Sequence, residues 1–326
     1  MDLPNELRIA IERELRGDAA QLARAVAALS ARYREHGRPD GPLDRGAVTA
    51  YTATRMPATY AATAAALAAL AALLPAFAPA SLLDVGAGTG AALWAAAETW
   101  PSLEAATLLE GDQAMLTMGR KLAEGAHSAA LRTATWRNAD LAGRWEAPHH
   151  DLVTAAYVLG ELAGGARAAL VAQLWARADG ALVLVEPGTP RGWAVIRAAR
   201  EQLRAAGAII VAPCPHQAAC PLPADDWCHF AQRISRTRAQ RAAKGGSLGY
   251  EDEKYSYLAV ARQAGEAIAA RVLRQPVTRA GRIELALCAD SGLRHALVTR
   301  GDGANWRLAH DLRWGDLLLP GALEEA

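Results

Sequence analysis

Asp84-Val85-Gly86-Ala87-Gly88-Thr89-Gly90 decides how the rest of the chain reads. Leu82-Leu83-Asp84-Val85 is a short apolar run of the kind buried in a parallel sheet. The glycines after it permit a sharp turn and a close approach between backbone and ligand. Ala91 to Thr99 reads as a helix whose N-terminus faces that space. Beyond that helix, Ala106 to Glu110 is a second strand and Gln113 to Glu124 a second helix. Leu131 to Trp136, Asp151 to Ala156 and Ala181 to Glu186 read as three further strands. Strands alternating with helices at this spacing predict a parallel, doubly wound α/β sheet.

A glycine-rich turn between strand and helix is a weak signal alone, because dinucleotide enzymes use one too. Here the spacing is G-x-G-x-G with Ala91 next, and Asp84 stands directly before the loop. Glu110 ends the second strand, where a carboxylate accepts from both ribose hydroxyls. Asp140, after the third strand, is placed to meet an adenine amino group. Gly86, Gly88 and Gly90 with these three acids therefore point to S-adenosylmethionine and a Rossmann-like methyltransferase fold. The fourth-strand region, Asp151 to Glu161, lacks the Asn-Pro-Pro-Tyr element of base amino-group methylation. Tyr157 and Glu161 read either as pocket residues or as a packed aromatic and a cap, and no catalytic residue is assigned. Methyl transfer can run on proximity alone when the nucleophile is already reactive.

On either side of this core the character changes. Residues 1–80 read as helices, with a Gly/Pro/Asp-rich loop from Gly37 to Gly46. The charged start, Met1 to Arg16, is an amphipathic helix rather than a secretory signal, so a cytoplasmic location is expected. Ala58 to Ala80 is the most apolar stretch. It is mostly alanine, is cut by Pro75 and Pro79, and reads as a packed helix with no membrane contact. Trp193 to Ala206 is a helix. Arg282 to Cys288, Leu293 to Val298 and Trp306 to His310 are short alternating runs that predict a small antiparallel sheet. The expected division is thus 1–80 helical, 81–210 Rossmann-like, and 211–326 a cysteine-rich metal-binding extension with a C-terminal β element.

Cys214, Cys220, Cys228 and Cys288 are the only cysteines. Three clustered thiols and a distant fourth suit a four-thiolate site closed by folding of the tail. The spacing lacks the C-x2-C knuckle usual for zinc, whereas iron–sulfur clusters accept looser loops. His216 and His229 offer a rival Cys/His zinc set, and free buried cysteines are the plain alternative. Pro213-Cys214 has the dipeptide of cytosine-C5 nucleophiles, but it follows the fifth strand instead of the fourth.

The formal net charge of +1 conceals a local imbalance. Between Cys214 and Arg282 there are 11 Lys/Arg and 6 Asp/Glu, a net of 11 − 6 = +5. Arg233, Arg236, Arg238, Arg241 and Lys244 form a run without an acid, expected to be helical and suited either to RNA phosphates or to solvent.

The blocks Pro213-Cys214-Pro215-His216, Cys220-Pro221-Leu222, Trp227-Cys228-His229-Phe230-Ala231-Gln232-Arg233 and Glu251-Asp252-Glu253-Lys254-Tyr255-Ser256-Tyr257-Leu258 resemble the methyltransferase-like family associated with the mitochondrial small ribosomal subunit, in a bacterial-type version. Arg55-Met56-Pro57-Ala58-Thr59-Tyr60, Cys288 and Trp314-Gly315-Asp316 extend the resemblance over residues 3–319. It implies a 4Fe-4S cluster on Cys214, Cys220, Cys228 and Cys288. It also implies action on small-subunit ribosomal RNA, as a methyltransferase or as a non-catalytic assembly factor. A monomer is expected.

Overall fold

The computed structural model describes residues 1–15, 19–36, 41, 43–237, 240–241 and 248–323. Four helices lead: α1 (Asn5–Glu14), α2 (Ala19–His36), α3 (Arg45–Thr54) and α4 (Met56–Leu73). Asp44 caps α3 by accepting from the Ala47 amide, and Pro57 stands in the first turn of α4. By length and composition α4 is apolar enough to cross a membrane, yet 67% of that window is buried inside the fold. Its alanines pack against the sheet and the helix after the glycine loop, which small side chains permit at close range.

The first sheet contains β1 (Ser81–Val85), β2 (Ala105–Glu110), β3 (Thr135–Asn138), β4 (His150–Ala156), β5 (Ala178–Pro187), β6 (Ile209–Ala212), β7 (Phe230–Ser235) and β8 (Tyr250–Ala261). Its order is β3-β2-β1-β4-β5-β8-β6, with β7 also on β8. The first five strands are parallel, and β8 runs antiparallel to β5, β6 and β7. Leu82, Leu83, Leu182 and Leu184 are fully buried, as expected for strands covered on both faces. The covering helices are α5 (Ala91–Thr99), α6 (Gln113–Ala123), α7 (Ala129–Arg132), α8 (Gly164–Arg177) and α9 (Pro190–Ala205). Asp112 caps α6 through the amides of Ala114 and Met115, and Thr189 caps α9 through that of Gly192.

Three expectations are corrected. The Rossmann-like sheet does not end at 210, because β8 lies inside it, between β5 and β6. Ile209 and Ala212 pair with Ala261 and Ala259, while Phe230 begins opposite Tyr255. Residues 213–229 are therefore an excursion from one sheet edge, and the cysteine block belongs to the core fold rather than to a separate extension. Next, the third strand is Thr135–Asn138 and not Leu131–Trp136. Ala130 and Leu131 are both buried in the short helix α7, whose four residues precede the strand. Finally, Trp306–His310 lies in helix α10 (Ala304–Asp311) and not in a strand.

The tail forms a second sheet from β9 (Ala270–Val272), β10 (Val277–Arg279), β11 (Arg282–Ala289), β12 (Gly292–Thr299) and β13 (Leu317–Leu318). It is antiparallel in the order β10-β11-β9-β13, with β12 on β11. Val272, Ile283, Leu285, Leu287 and Val298 give it a core of its own.

Candidate functional site

A cavity of about 400 Å³ opens at the C-terminal ends of β1, β2, β4 and β5, where ligands bind in open α/β sheets. Gly86, Gly88 and Gly90 have φ of 75°, 55° and 88°, the left-handed region that only glycine enters cheaply. Space is equally decisive, since a Cβ on Gly86 would lie 1.8 Å from Val158 Cγ2. Gly86 and Gly88 line the cavity. Gly90 faces the Trp136 ring instead, and its requirement is packing.

The loop amides of Gly86, Ala87, Gly88 and Gly90 already have partners. Gly86 and Ala87 N–H donate to Leu109 O at 2.8 and 3.1 Å, and Gly88 N–H donates to Glu110 Oε2 at 2.8 Å. A phosphate cradle needs such amides free, and Glu110 and Asp112 on the same wall would repel an anion. The site suits a nucleoside without phosphate. Glu110 Oε1 accepts from the Asp112 amide at 2.9 Å. Two backbone donors leave lone pairs on both carboxylate oxygens, enough for a pair of vicinal hydroxyls. Burial raises the Glu110 pKa, and these N–H bonds oppose the rise.

Asp84 stands beneath the loop rather than on the wall. Its Oδ1 accepts from Thr154 Oγ1 at 2.7 Å, while Oδ2 is buried without a partner. Burial pushes its pKa up to about 7, with the Thr154 bond acting the other way. Asp140 is outside the cavity. It is exposed, and its carboxylate closes its own turn on the Ala142 amide at 3.0 Å. Asp112 occupies the wall instead and ties down the N-terminal segment by accepting from the Leu43 amide at 2.7 Å. Met115 and Tyr51 flank it. Sequence reasoning missed Asp112, whose only local signal is an acid two residues beyond Glu110, directly before α6.

The far end of the cavity is built by Tyr157, Glu161, Glu186, Arg191 and Glu253. Tyr157 takes φ of 60°, rare for a bulky residue, and its hydroxyl donates to Glu253 Oε1 at 2.7 Å. Glu186 ends β5 and accepts from the Gly160 amide at 3.1 Å; burial pushes its pKa up to about 7. Glu253 escaped the sequence reading because no strand was expected at Tyr250–Ala261, and Glu186 was read only as the last residue of the fifth strand.

The cysteines meet in a second, much smaller cavity of about 20 Å³, walled by Cys214, Cys220, Cys228 and Cys288 with Trp193, His216 and Arg271. Three thiols come from the 213–229 excursion and the fourth from β11. Burial, then mutual repulsion among the sulfurs, raises the Cys228 pKa well above the ordinary thiol value and that of Cys288 to about 12. Arg200, fully buried, donates from Nε to Cys214 Sγ at 3.4 Å. His216 Nε2 lies 3.5 Å from Cys288 Sγ. Trp193 Nε1, His216 Nδ1 and Arg271 Nη2 are buried with no hydrogen-bond partner. Among the described residues, no three or more His, Cys, Asp or Glu side chains form a ready-made cage for a single metal ion. The thiols share one cavity without closing on one point. His229 stacks on Trp227, meets Trp314 edge-on, and is absent from that wall.

The basic run is not a helix from Arg233 onward. Arg233 lies in β7, bonds Asp252 through two nitrogens at 2.7 and 2.8 Å, and covers the Tyr250 ring. Arg236 donates to Glu251 at 3.2 Å. Pairing with β8 acids thus offsets two of the five charges, because antiparallel register sets the Arg strand against Glu251-Asp252. Arg241 is exposed; Arg238 and Lys244 lie outside the described residues.

The human protein described as ribosome assembly protein METTL17, mitochondrial, is 30% identical over 292 residues, covering 84% of this chain and 62% of that protein. Rsm22-cox11 tandem protein 2, mitochondrial, of Schizosaccharomyces pombe is 28% identical over 185 residues, covering 42% of this chain and 24% of that protein. The chain therefore spans under two thirds of the length of either relative. Among solved structures, magnesium protoporphyrin IX methyltransferase from Synechocystis PCC 6803 with bound S-adenosylmethionine aligns at 14% identity and a TM-score of 0.41, covering 73% of this chain and 97% of that one. Precorrin-6y C5,15-methyltransferase from Geobacter metallireducens aligns at 17% identity and 0.40, covering 62% and 87%. The family described as mitochondrial small ribosomal subunit Rsm22 matches residues 45–319, and the chain belongs to that family.

Proposed function

We propose that this chain is a small-subunit ribosome assembly factor of the methyltransferase-like class. It binds S-adenosylmethionine in the 400 Å³ cavity and carries a 4Fe-4S cluster on Cys214, Cys220, Cys228 and Cys288. The observation that carries the first part is the wall joining Gly86, Gly88 and Glu110 to Tyr157 and Glu186. Its amides are committed and its acids are suited to hydroxyls, which favours a phosphate-free nucleoside. Gly86, Gly88, Glu110, Asp112 and Met115 hold that nucleoside, and α3 with Leu43 closes over it. When bound, S-adenosylmethionine supplies an electrophilic methyl group.

This chain's own residues hold and exclude more clearly than they move protons. The Tyr157 hydroxyl donates a hydrogen bond to Glu253, and burial opposes its ionisation. These commitments favour assembly activity with a bound ligand over methyl transfer, which stands as the second reading. Tritiated methyl transfer to small subunits from a deletion strain decides between them, with wild-type subunits as the control for prior modification. Incorporation into the deletion subunits alone would establish the enzyme. Titration calorimetry with S-adenosylmethionine tests the cavity itself.

The cluster is supported by the donor set: four thiols on one apolar wall, with buried cationic and N–H groups around them that lack acceptors. Thiolate and sulfide would satisfy those donors. Arg233, Arg236, Arg238, Arg241 and Lys244 remain the proposed RNA contacts; Arg241 is exposed, whereas Arg233 and Arg236 are held by Asp252 and Glu251. Anaerobic purification is expected to give a brown protein with iron and acid-labile sulfide in equal amounts. A colourless protein with one zinc would replace the cluster.

A further inference from the structure

Arg271 poses a problem that the fold alone does not solve. It sits on β9, is 4% exposed, and donates from Nε to Pro213 O at 3.0 Å and from Nη1 to Gly315 O at 2.9 Å. Its Nη2 is buried without a partner, and the residue lines the four-thiol cavity. Among the described residues it pairs with no carboxylate. A buried guanidinium left with main-chain carbonyls alone is costly, so the position calls for a nearby anion. Arg200 differs, since Glu201, two carbonyls and Cys214 Sγ already take its donors.

Trp193 presents the same pattern. It is 4% exposed, lines the same cavity, and its indole Nε1 is unpartnered. It lies seven residues before Arg200 on α9, two turns along one helix face. A strand of the second sheet and a helix of the first thus each bring a residue with an unmet, buried N–H to the wall of one cavity.

We propose that Arg271 and Trp193 donate hydrogen bonds to the sulfur atoms of the proposed cluster and, through Arg271's charge, set its reduction potential. This rests on the cluster reading. A core with four thiolates is anionic in its resting state and more so after taking an electron. A fixed cation and two N–H donors favour the reduced form, because both interactions strengthen with charge on sulfur. They are positioning residues and not ligands.

The test uses the full chain, purified without oxygen, as wild type and as Trp193→Phe, Arg271→Lys and Arg271→Met. Iron and sulfide content are measured first, then the midpoint potential by dithionite titration followed by electron paramagnetic resonance. In that titration one electron passes from dithionite to the core, and no bond forms or breaks. Trp193→Phe and Arg271→Met are expected to lower the potential, Arg271→Met by at least tenfold in the reduced-to-oxidised ratio, 59 mV for one electron. Arg271→Lys should shift it less. If Arg271→Met does not retain its cluster, Trp193→Phe and Arg271→Lys carry the test, since each keeps the bulk of its parent. Loaded variants with wild-type potentials would overturn the proposal while leaving the cluster reading intact. Wild-type protein without iron and sulfide would overturn both.

Discussion

The two cavities of this chain are built on opposite principles. The larger one mixes charged and apolar side chains, lies at the C-terminal ends of the parallel strands under the N-terminal helices, and has the amides of Gly86, Ala87 and Gly88 internally satisfied. The smaller one is apolar apart from its thiols, draws on an excursion and a second sheet, and leaves buried donors unmet. A site complete without its guest is poised for a ligand that comes and goes. One that is incomplete without its guest behaves as part of the fold.

That contrast breaks most sharply at the cysteines. Cys228→Ser is expected to abolish the visible absorbance and reduce bound iron below a quarter of wild type. It should also lower the thermal midpoint by several degrees, because guest binding is folding free energy. No cysteine lines the larger cavity, so S-adenosylmethionine affinity measured by calorimetry on the same sample should stay within about threefold. A collapse of that affinity would mean the cavities are one unit.

Glu110→Ala acts on the larger cavity alone. Removing a charged acceptor of two hydroxyls costs about 2–3 kcal/mol, or roughly 30- to 150-fold in affinity, with iron content unchanged. Gly86→Ala follows, placing a methyl against Val158 at a left-handed backbone. The expected loss is about 1–3 kcal/mol in denaturant unfolding, partly recovered by adding Val158→Ala.

The last effect shows as a pH dependence and concerns Asp84. Its carboxyl is raised from 3.8 to about 7, so its contribution to stability is fully present below about pH 3.8 and is lost as pH rises through about 7. Asp84→Asn keeps an acceptor for Thr154 and removes the charge. Its unfolding midpoint relative to wild type should rise between pH 4 and pH 8, and a parallel offset at both pH values would contradict the assignment.

Much of the first cavity was legible because its signals are local. Glycine at Gly86 and Gly88, and an acid ending the next strand, are read from short runs. Asp140 failed for a related reason. The third strand begins four residues later than its apolar run suggested, after Ala129–Arg132 turned helical, and the acid that follows it closes a turn. Glu253 was hidden by topology, since no local pattern in Glu251-Asp252-Glu253-Lys254 says that this strand inserts beside β5. The four cysteines could be grouped by family likeness, but Trp193 and Arg271 could not. They reach the thiols from sequence positions separated by most of a sheet, and only packing brings them there.

Strand β8 has a consequence for how the molecule can be made. It supplies Glu253 to one cavity, and its Ser256 hydroxyl donates to the Cys228 carbonyl at 2.7 Å beside the other. The first sheet is unfinished until Ala261 has been synthesised, and Cys288 arrives later still, on a different sheet. A chain cut near residue 210 would leave β5 with a bare edge and the thiols without anchorage, so the halves should not be expressible as separate pieces. During synthesis, three sulfurs wait on a tethered loop for a fourth. The completed four-thiol wall then reports that both sheets have folded and docked, which makes it a checkpoint on the whole chain's assembly.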